Sequence, residues 1–384
     1  MLDTITMQLI NSFVLQDLSK FGIQKEKVKA LSDLIPNGRP FIKYYQNPNK
    51  EDKEFGFYKP CLTLCLRRAG SGIQKELLIQ FSCQKALFDN NFDEPNEADL
   101  QTIYFWLEER LKIMGIAVGI EELKKANLNV VHFAKNIPLT DYTLPITYMR
   151  ELAKCDVTNR LCFDEKDYRG GGHSLKFRVN RFEVCFYDKI KDLEKAKISE
   201  KWAEEKDNAI QLDLLNRTQF VKPFEAMRME IRLNTRKKIK EVLETIGLKN
   251  LEPTLGNLFN KVIARKILKW HFEAIVSGYP LLLMMPNEDQ KPANFLTSLK
   301  QQEINVSLNK ALELFGLAQM LDALGVRDFR ALTKSWGDDS WYRLKKTMQR
   351  LPIVNKVDCF GTISKCLNDF EPIKLVDFNK TIVK

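Results

Sequence analysis

A stretch in the second half of the chain reads Ala226-Met227-Arg228-Met229-Glu230-Ile231-Arg232-Leu233-Asn234. Apolar and polar residues alternate along it, and successive side chains of a β-strand point to opposite faces of the sheet. The stretch therefore predicts a strand with one apolar face, and Arg228, Glu230 and Arg232 share the other face. Two arginines around one carboxylate can hold a metal ion and a phosphate together. The alternative is a solvent-exposed face whose ion pairs have no chemical role.

Further strands are expected before this one. Residues 62–67 and 76–82 have the pattern of a hairpin joined by Gly70-Ser71-Gly72, and residues 128–133 that of a short buried strand. Residues 174–181 and 182–189 predict either a strand pair or one long bent strand. Residues 100–114 have the apolar spacing of an amphipathic helix.

The pattern turns mostly helical after Arg236, and Glu252-Pro253 is a plausible boundary between two helical segments. Strands followed by helices predict the α+β class, with a sheet domain that contains helical insertions and a mostly helical C-terminal domain. We therefore expect two domains, residues 1–250 and residues 251–384.

Composition limits the class of protein. The chain has 384 residues, of which 44% are hydrophobic, and this is typical of a folded protein. Its net charge of +10 favours a polyanionic partner. The eight cysteines form no Cys-x-x-Cys pair, which excludes a zinc ribbon, and reduced thiols are expected. The first residues lack a basic signal-peptide region and residues 274–286 are too short to span a bilayer, so we expect a soluble cytoplasmic protein without a membrane partner.

A second strand carries a candidate nucleophile. Residues 182–189 alternate so that Glu183, Cys185, Tyr187 and Lys189 share a face, while Asp188 points to the opposite one. A phenol beside an ammonium group ionises more easily, as a nucleophile that attacks phosphate requires. Taken alone, the strand more often indicates a tyrosine with a packed ring and a wet hydroxyl.

The chain has three histidines, His132, His173 and His271, and none forms a known paired metal motif. A satisfied, buried side chain is the favoured interpretation of His132, and a metal ligand is the alternative. His173 follows Gly170-Gly171-Gly172, a flexible loop that could admit a substrate backbone. No Lys-Ser or Lys-Thr follows these glycines, which excludes a nucleotide-binding P-loop.

Residues 325–351 have the pattern of a helix-turn-helix. Phe329, Leu332 and Trp336 have helical spacing, Gly337-Asp338-Asp339 predicts the turn, and Ser340 is a candidate N-cap. A basic helix after a tight turn suits a DNA groove, and a basic surface helix is the alternative. The basic residues of the second helix are Arg343, Lys345, Lys346 and Arg350.

Four segments in this order resemble the filamentous-phage gene II family of rolling-circle replication initiation proteins, which includes plasmid-borne members. The resemblance covers roughly residues 55 to 250. The segments are residues 77–85 with Asn91, residues 130–136, residues 182–189, and residues 228–232 with Thr235-Arg236.

The resemblance implies an antiparallel-sheet nicking-endonuclease domain, similar to replication initiators and relaxases. It implies that the protein nicks and rejoins DNA at an origin, with Tyr187 as the nucleophile, and leaves a 5′-phosphotyrosine and a 3′-OH primer. Lys189, Arg228 and Arg232 would stabilise the transition state. A Mg²⁺ or Mn²⁺ ion would be held by Glu230, with His132 as a further candidate ligand. The expected partners are double-stranded and single-stranded origin DNA and the host polymerase and helicase.

The chain departs from the family pattern near His132. Related members have an Arg-Ile-Asp strand there, and the candidate acidic position is a histidine in this chain. Two other functions stay open. One is a plasmid mobilisation relaxase, which uses the same chemistry. The other is an origin-binding or regulatory DNA-binding protein without catalysis, which would form no covalent adduct on Tyr187.

Overall fold

The structure is a computed structural model that describes residues 1–24, 30–49, 52, 57–70, 72–139, 143–157, 161, 165–198, 225–301, 306–337, 339–349, 356–375 and 377. Its strands are β1 (Leu2–Ile10), β2 (Val14–Leu15), β3 (Phe41–Gln46), β4 (Cys61–Ala69), β5 (Gly72–Ser82), β6 (Ile116–Ala117), β7 (Asn127–Leu139), β8 (Glu165–Arg169), β9 (Ser174–Val179), β10 (Phe182–Asp188) and β11 (Glu225–Leu233). In the described part of the chain, nine of them form one sheet in the order β3-β4-β5-β1-β7-β11-β10-β9-β8. All neighbouring strands in it are antiparallel.

The strand predictions are confirmed at three places. Strands β4 and β5 form the expected hairpin. Strands β9 and β10 form a pair rather than one bent strand, because Arg181 turns the chain with a positive φ of 64°. Strand β11 pairs with β10 on one side and with β7 on the other, so it lies inside the sheet.

Strand β7 is longer than predicted, since it continues from Phe133 to Leu139. The sequence pattern does not predict this part of β7, because polar residues and proline are uncommon inside sheets. The residues concerned are Lys135, Asn136 and Pro138. Lys135 and Asn136 are nevertheless buried. The Glu94 carboxylate accepts hydrogen bonds from the Lys135 ammonium group and, at 2.5 Å, from the Asn136 backbone N–H.

The helices are α1 (Cys83–Phe88), α2 (Leu100–Ile113), α3 (Ile120–Lys125), α4 (Pro145–Ala153), α5 (Lys189–Ile198), α6 (Arg236–Thr245), α7 (Leu255–Leu258), α8 (Lys261–Val276), α9 (Pro292–Gln301), α10 (Leu308–Thr333), α11 (Asp339–Gln349) and α12 (Gly361–Asp369). The amphipathic helix predicted at residues 100–114 is confirmed as α2. Mixed helices and strands around a large antiparallel sheet confirm the expected α+β composition. No helix within the described ranges is long and apolar enough to cross a membrane.

One hydrophobic core joins the sheet to the helices that follow it. Met227, Met229, Ile231 and Leu233 of β11 are all buried in this core. Helix α8 contacts β7 and β11, and α12 contacts β7. The boundary between residues 250 and 251 stays a prediction, but the helices after it share the core of the sheet.

Candidate active site

The polar face of β11 carries the candidate site near the middle of the sheet. Across the antiparallel pairs, Tyr187 lies opposite Arg228 and Cys185 lies opposite Glu230. On the other side of β11, Arg232 lies opposite His132 of β7. Residues directly opposite each other share a face of the sheet. The strand alternation therefore brings the predicted nucleophile, carboxylate, arginines and histidine to one surface.

Glu230 lies at the centre of this cluster. Its Oε1 atom accepts a hydrogen bond of 2.5 Å from the Tyr187 hydroxyl and lies 3.0 Å from Arg228 Nε. Its Oε2 atom accepts hydrogen bonds from Arg232 Nε at 2.8 Å and from Arg232 Nη2 at 2.6 Å. Its side chain is only 2% exposed. The alternative of a solvent-exposed strand face is therefore wrong at Glu230.

The two arginines keep Glu230 ionised. Burial by itself would raise the pKa of the Glu230 carboxyl, but Arg232 and Arg228 outweigh burial and hold that pKa far below its ordinary value. A charged carboxylate thus accepts a hydrogen bond from the phenol. The same arginines make it a weak base, so it can take up the phenol proton only in concert with the attack on phosphorus.

The Tyr187 phenol stays neutral in this arrangement. Burial and the Glu230 charge raise its pKa well above the ordinary value of 10.0. The Lys189 ammonium group is 5.6 Å from the centre of the Tyr187 ring. Lys189 is therefore close to Tyr187 as predicted, but the expectation that it makes the free phenol easier to ionise is wrong.

Lys189 reaches Tyr187 from the first residue of helix α5, since strand β10 ends at Asp188. Its side chain is buried, and its ammonium group lies 3.3 Å from the Asp192 carboxylate. Burial lowers the pKa of Lys189 below its ordinary value, against the opposing effect of Asp192. The Lys189 ammonium group, which burial shields from water, is thus held beside the Tyr187 ring.

Asp188 has a structural role. It lies opposite Met227, which confirms that it points away from the face of Tyr187. Its carboxylate accepts a hydrogen bond of 2.9 Å from the Lys191 backbone N–H in the first turn of α5 and lies 3.1 Å from His173 Nδ1. His173, which follows the glycine loop, thus contacts the same carboxylate as the first turn of α5.

Arg228 is fully buried, and its donors are directed at the protein. Nη1 donates to the Asn91 carbonyl oxygen at 2.8 Å, and Nη2 donates to Gln84 Oε1 at 2.9 Å. Nη2 also lies 3.2 Å from the Asp3 carboxylate. These contacts explain why Arg228 can orient Glu230, and its burial, with only 1% of the residue exposed, separates it from a substrate phosphate. The geometry thus favours positioning over the predicted direct contact.

No local sequence pattern indicates a role for Asp3. It lies in β1, where the pairing with β7 shifts register between Leu2 and Ile5. Such a bulge redirects a side chain, and the Asp3 carboxylate reaches Arg228 and accepts a hydrogen bond of 3.2 Å from the Ser82 hydroxyl. Strand alternation within residues 1–10 cannot reveal a bulge or a neighbour so distant in the chain.

Arg232 is the site arginine that remains partly open to solvent, with 27% of its side chain exposed. Its Nη1 atom lies 3.5 Å from the Glu183 carboxylate. Arg232 can therefore contact both Glu230 and an approaching anion.

The donor set does not fit a metal ion at Glu230. Both carboxylate oxygens already face guanidinium groups, which a divalent cation would have to displace. His132 Nε2 lies 3.3 Å from Asn234 Oδ1, and burial lowers the pKa of its imidazole. In the described ranges, no group of three His, Cys, Asp or Glu side chains is placed to hold a metal.

The second helix of the predicted helix-turn-helix is present as α11, and its basic residues lie in different surroundings. Arg343 and Lys346 are exposed, whereas Lys345 Nζ lies 3.5 Å from the buried Asp156 carboxylate. Arg350 lies outside the described residues. Ser340 is inside α11 and donates to the Trp336 carbonyl oxygen at 2.9 Å, so its prediction as the N-cap is wrong.

The first helix of the predicted helix-turn-helix is the second half of α10, which is kinked at Gly325. Phe329 is buried and packs edge-on against Trp341 at 6.1 Å. Leu332 and Trp336 are exposed. The helical spacing therefore predicted a wider buried apolar face than this segment has.

Comparison with models of protein families, with curated proteins and with solved structures finds no match to this chain. The resemblance to the gene II family therefore stays a prediction.

Proposed function

We propose that the chain is a rolling-circle replication initiator that nicks and rejoins DNA at an origin. One observation carries the proposal: the Tyr187 hydroxyl donates to the ionised Glu230 carboxylate at 2.5 Å, within a group of cationic side chains. A nucleophile within hydrogen-bond reach of a proton acceptor, which is itself oriented by further groups, is the arrangement that covalent catalysis requires.

The proposed reaction is a transesterification. The Tyr187 oxygen attacks the phosphorus of a phosphodiester while the phenol proton passes to Glu230. The bond from phosphorus to the 3′ oxygen breaks, and the leaving 3′ oxygen takes up a proton from water. The products are a 5′-phosphotyrosine and a 3′-OH that can prime a host polymerase. The covalent bond retains the energy needed for rejoining, so the reaction requires no ATP.

The raised pKa of Tyr187 keeps the phenol neutral, so a nucleophilic oxygen forms only as its proton leaves during the attack. As the proton leaves, charge moves onto the phosphate oxygens, where Lys189 and Arg232 can stabilise it. Arg228 holds the carboxylate in place from the protein side.

A Mg²⁺ or Mn²⁺ requirement, which the resemblance implies, stays a separate prediction. Because the oxygens of Glu230 face two guanidinium groups, the proposed steps use no metal ion.

The proposal is tested with a supercoiled library of the DNA element that encodes the protein. Incubation should convert one clone to the nicked form, with a single cut site on one strand and protein attached to the 5′ end. Binding to DNA without any cut would instead support an origin-binding or regulatory protein.

A further inference from the structure

A basic cleft lies between the second half of α10, the turn at residues 334–337 and the start of α11. Its volume is about 320 Å³, and it lies apart from the Tyr187 cluster. The residues that give it its chemistry are Arg327, Arg330, Thr333, Lys334, Gly337 and Trp341. Three of these side chains are cationic, and no carboxylate is among the described residues that line the cleft.

Helical spacing explains why the cations converge. Arg327, Arg330 and Lys334 follow one another at intervals of three and four residues, so they share one stripe of the helical segment and the turn after it. Gly325 sets the direction of this stripe, because α10 kinks at Gly325, where φ is 71°. A Cβ atom at Gly325 would also lie 3.1 Å from Lys154 Cα, so the kink is specific to glycine.

The wall of the cleft contains a donor without an acceptor. Trp341 is 4% exposed, and its Nε1–H has no hydrogen-bond partner among the described residues. A buried donor that is left unsatisfied destabilises the fold. An anion in the cleft would supply oxygen acceptors beside three cations.

Two acidic residues in the described part of the chain are close to the cleft, and each pairs with a cation. The Asp156 carboxylate is buried and lies 3.4 Å from Arg330 Nη1 and 3.5 Å from Lys345 Nζ. Asp328 is exposed and lies 3.9 Å from Lys166 Nζ. Within the described residues, neither carboxylate forms an ion pair with Lys334.

We propose that this cleft binds one backbone phosphate of duplex DNA. The inference takes its ligand class from the proposed function, but it concerns equilibrium binding and requires no cleavage. The surroundings favour DNA over a free phosphate ion, because Arg343 and Lys346 are exposed on the adjoining helix and can contact the same backbone. Trp336, 75% exposed in the turn, can pack against a sugar.

The test compares two double variants of the full chain by fluorescence anisotropy with a labelled duplex over a range of salt concentrations. Arg327→Ala with Lys334→Ala removes two cations from the cleft. Lys124→Ala with Lys125→Ala removes the same charge from α3, where each lysine pairs with a glutamate one turn away. Thermal unfolding confirms that both variants are folded.

The cleft variant should bind duplex more weakly, and the slope of log affinity against log salt should become shallower by about one unit, as for one lost phosphate contact. The control variant should keep the wild-type slope. Equal slopes for the cleft variant and the wild type would overturn the proposal.

Two further measurements identify the source of the phosphate. Trp341→Phe removes the indole donor, and it should weaken duplex binding while leaving the salt slope unchanged. Inorganic phosphate, titrated by calorimetry, should bind the wild type much more weakly than duplex does. Tight phosphate binding that the cleft variant loses, with unchanged duplex affinity, would assign the cleft to a free anion and overturn the DNA assignment. Failure of Tyr187 to form an adduct would remove the proposed nicking activity without affecting any of these results.

Discussion

Replacing Glu230 by glutamine tests the centre of the site, because Glu230→Gln keeps the shape of the side chain and removes its charge. In the structure the Glu230 carboxylate accepts a hydrogen bond of 2.5 Å from the Tyr187 hydroxyl, and its charge neutralises two arginines. The substitution should therefore lower both the rate of nicking and the stability of the fold.

Both magnitudes follow from the contacts. Loss of a positioned proton acceptor typically lowers a rate by about 10²–10⁴-fold. Removing one partner of a buried ion pair costs about 3–5 kcal/mol. Since glutamine still accepts a hydrogen bond and Arg232 is partly hydrated, we expect the lower end, about 3 kcal/mol of unfolding free energy.

The stability of the wild type should also depend on pH in a defined direction. The folded pKa of Glu230 lies far below its ordinary value of 4.5. Its stabilising contribution is therefore complete above about pH 4.5 and is lost as the pH falls toward the folded pKa. Glu230→Gln should remove this part of the acid dependence in urea unfolding measured at several pH values.

Glu183→Gln provides a matched control on the same sheet face. Glu183 lies 3.5 Å from Arg232, whereas the Tyr187 hydroxyl donates to Glu230. Nicking of supercoiled DNA is measured for both variants together with duplex affinity, which should change little because phosphate contacts carry most of it. If Glu230→Gln is folded and nicks as fast as Glu183→Gln, the role of Glu230 as proton acceptor is refuted.

Three further predictions concern Lys189, Asp3 and the metal ion. Lys189→Met keeps a long side chain but removes its charge. Single-turnover cleavage of an oligonucleotide should slow at least tenfold, with unchanged DNA affinity. An unchanged rate would exclude Lys189 from the chemistry. Asp3→Asn leaves Arg228 with one fewer anionic partner, and urea unfolding should show a loss of about 1–3 kcal/mol, whereas full stability would mean that Asp3 does not support Arg228. Because the proposed steps use no metal ion at Glu230, nicking should continue in EDTA, and loss of nicking would show that the Mg²⁺ or Mn²⁺ implied by the resemblance is required.

The sequence was most informative about the sheet face that carries the site. Alternation in residues 226–234 places Arg228, Glu230 and Arg232 on one side without knowledge of the partners, because a strand has a period of two. It could not predict that Glu230 would be buried, since burial depends on β7 and β10 lying on either side of β11.

Long-range contacts limited the rest of the prediction. Asp3 and Gln84 reach Arg228 from segments more than a hundred residues away in the chain, and Gln84 is 144 residues from it. The extension of β7 was missed because Lys135 is compensated by Glu94, a partner that no local pattern contains. Helix α11 was predicted within a few residues, but the pairing of Lys345 with Asp156 depends on tertiary packing.

The most direct test of the central claim is the identity of the residue that becomes attached to DNA. The protein is incubated with a single-stranded oligonucleotide that spans the mapped nick site, digested, and analysed by mass spectrometry. We expect a nucleotide adduct on the peptide that contains Tyr187, and Tyr187→Phe should fold normally and form no adduct. An adduct that persists in Tyr187→Phe, for example on Tyr168, would contradict the assignment of Tyr187 as the nucleophile.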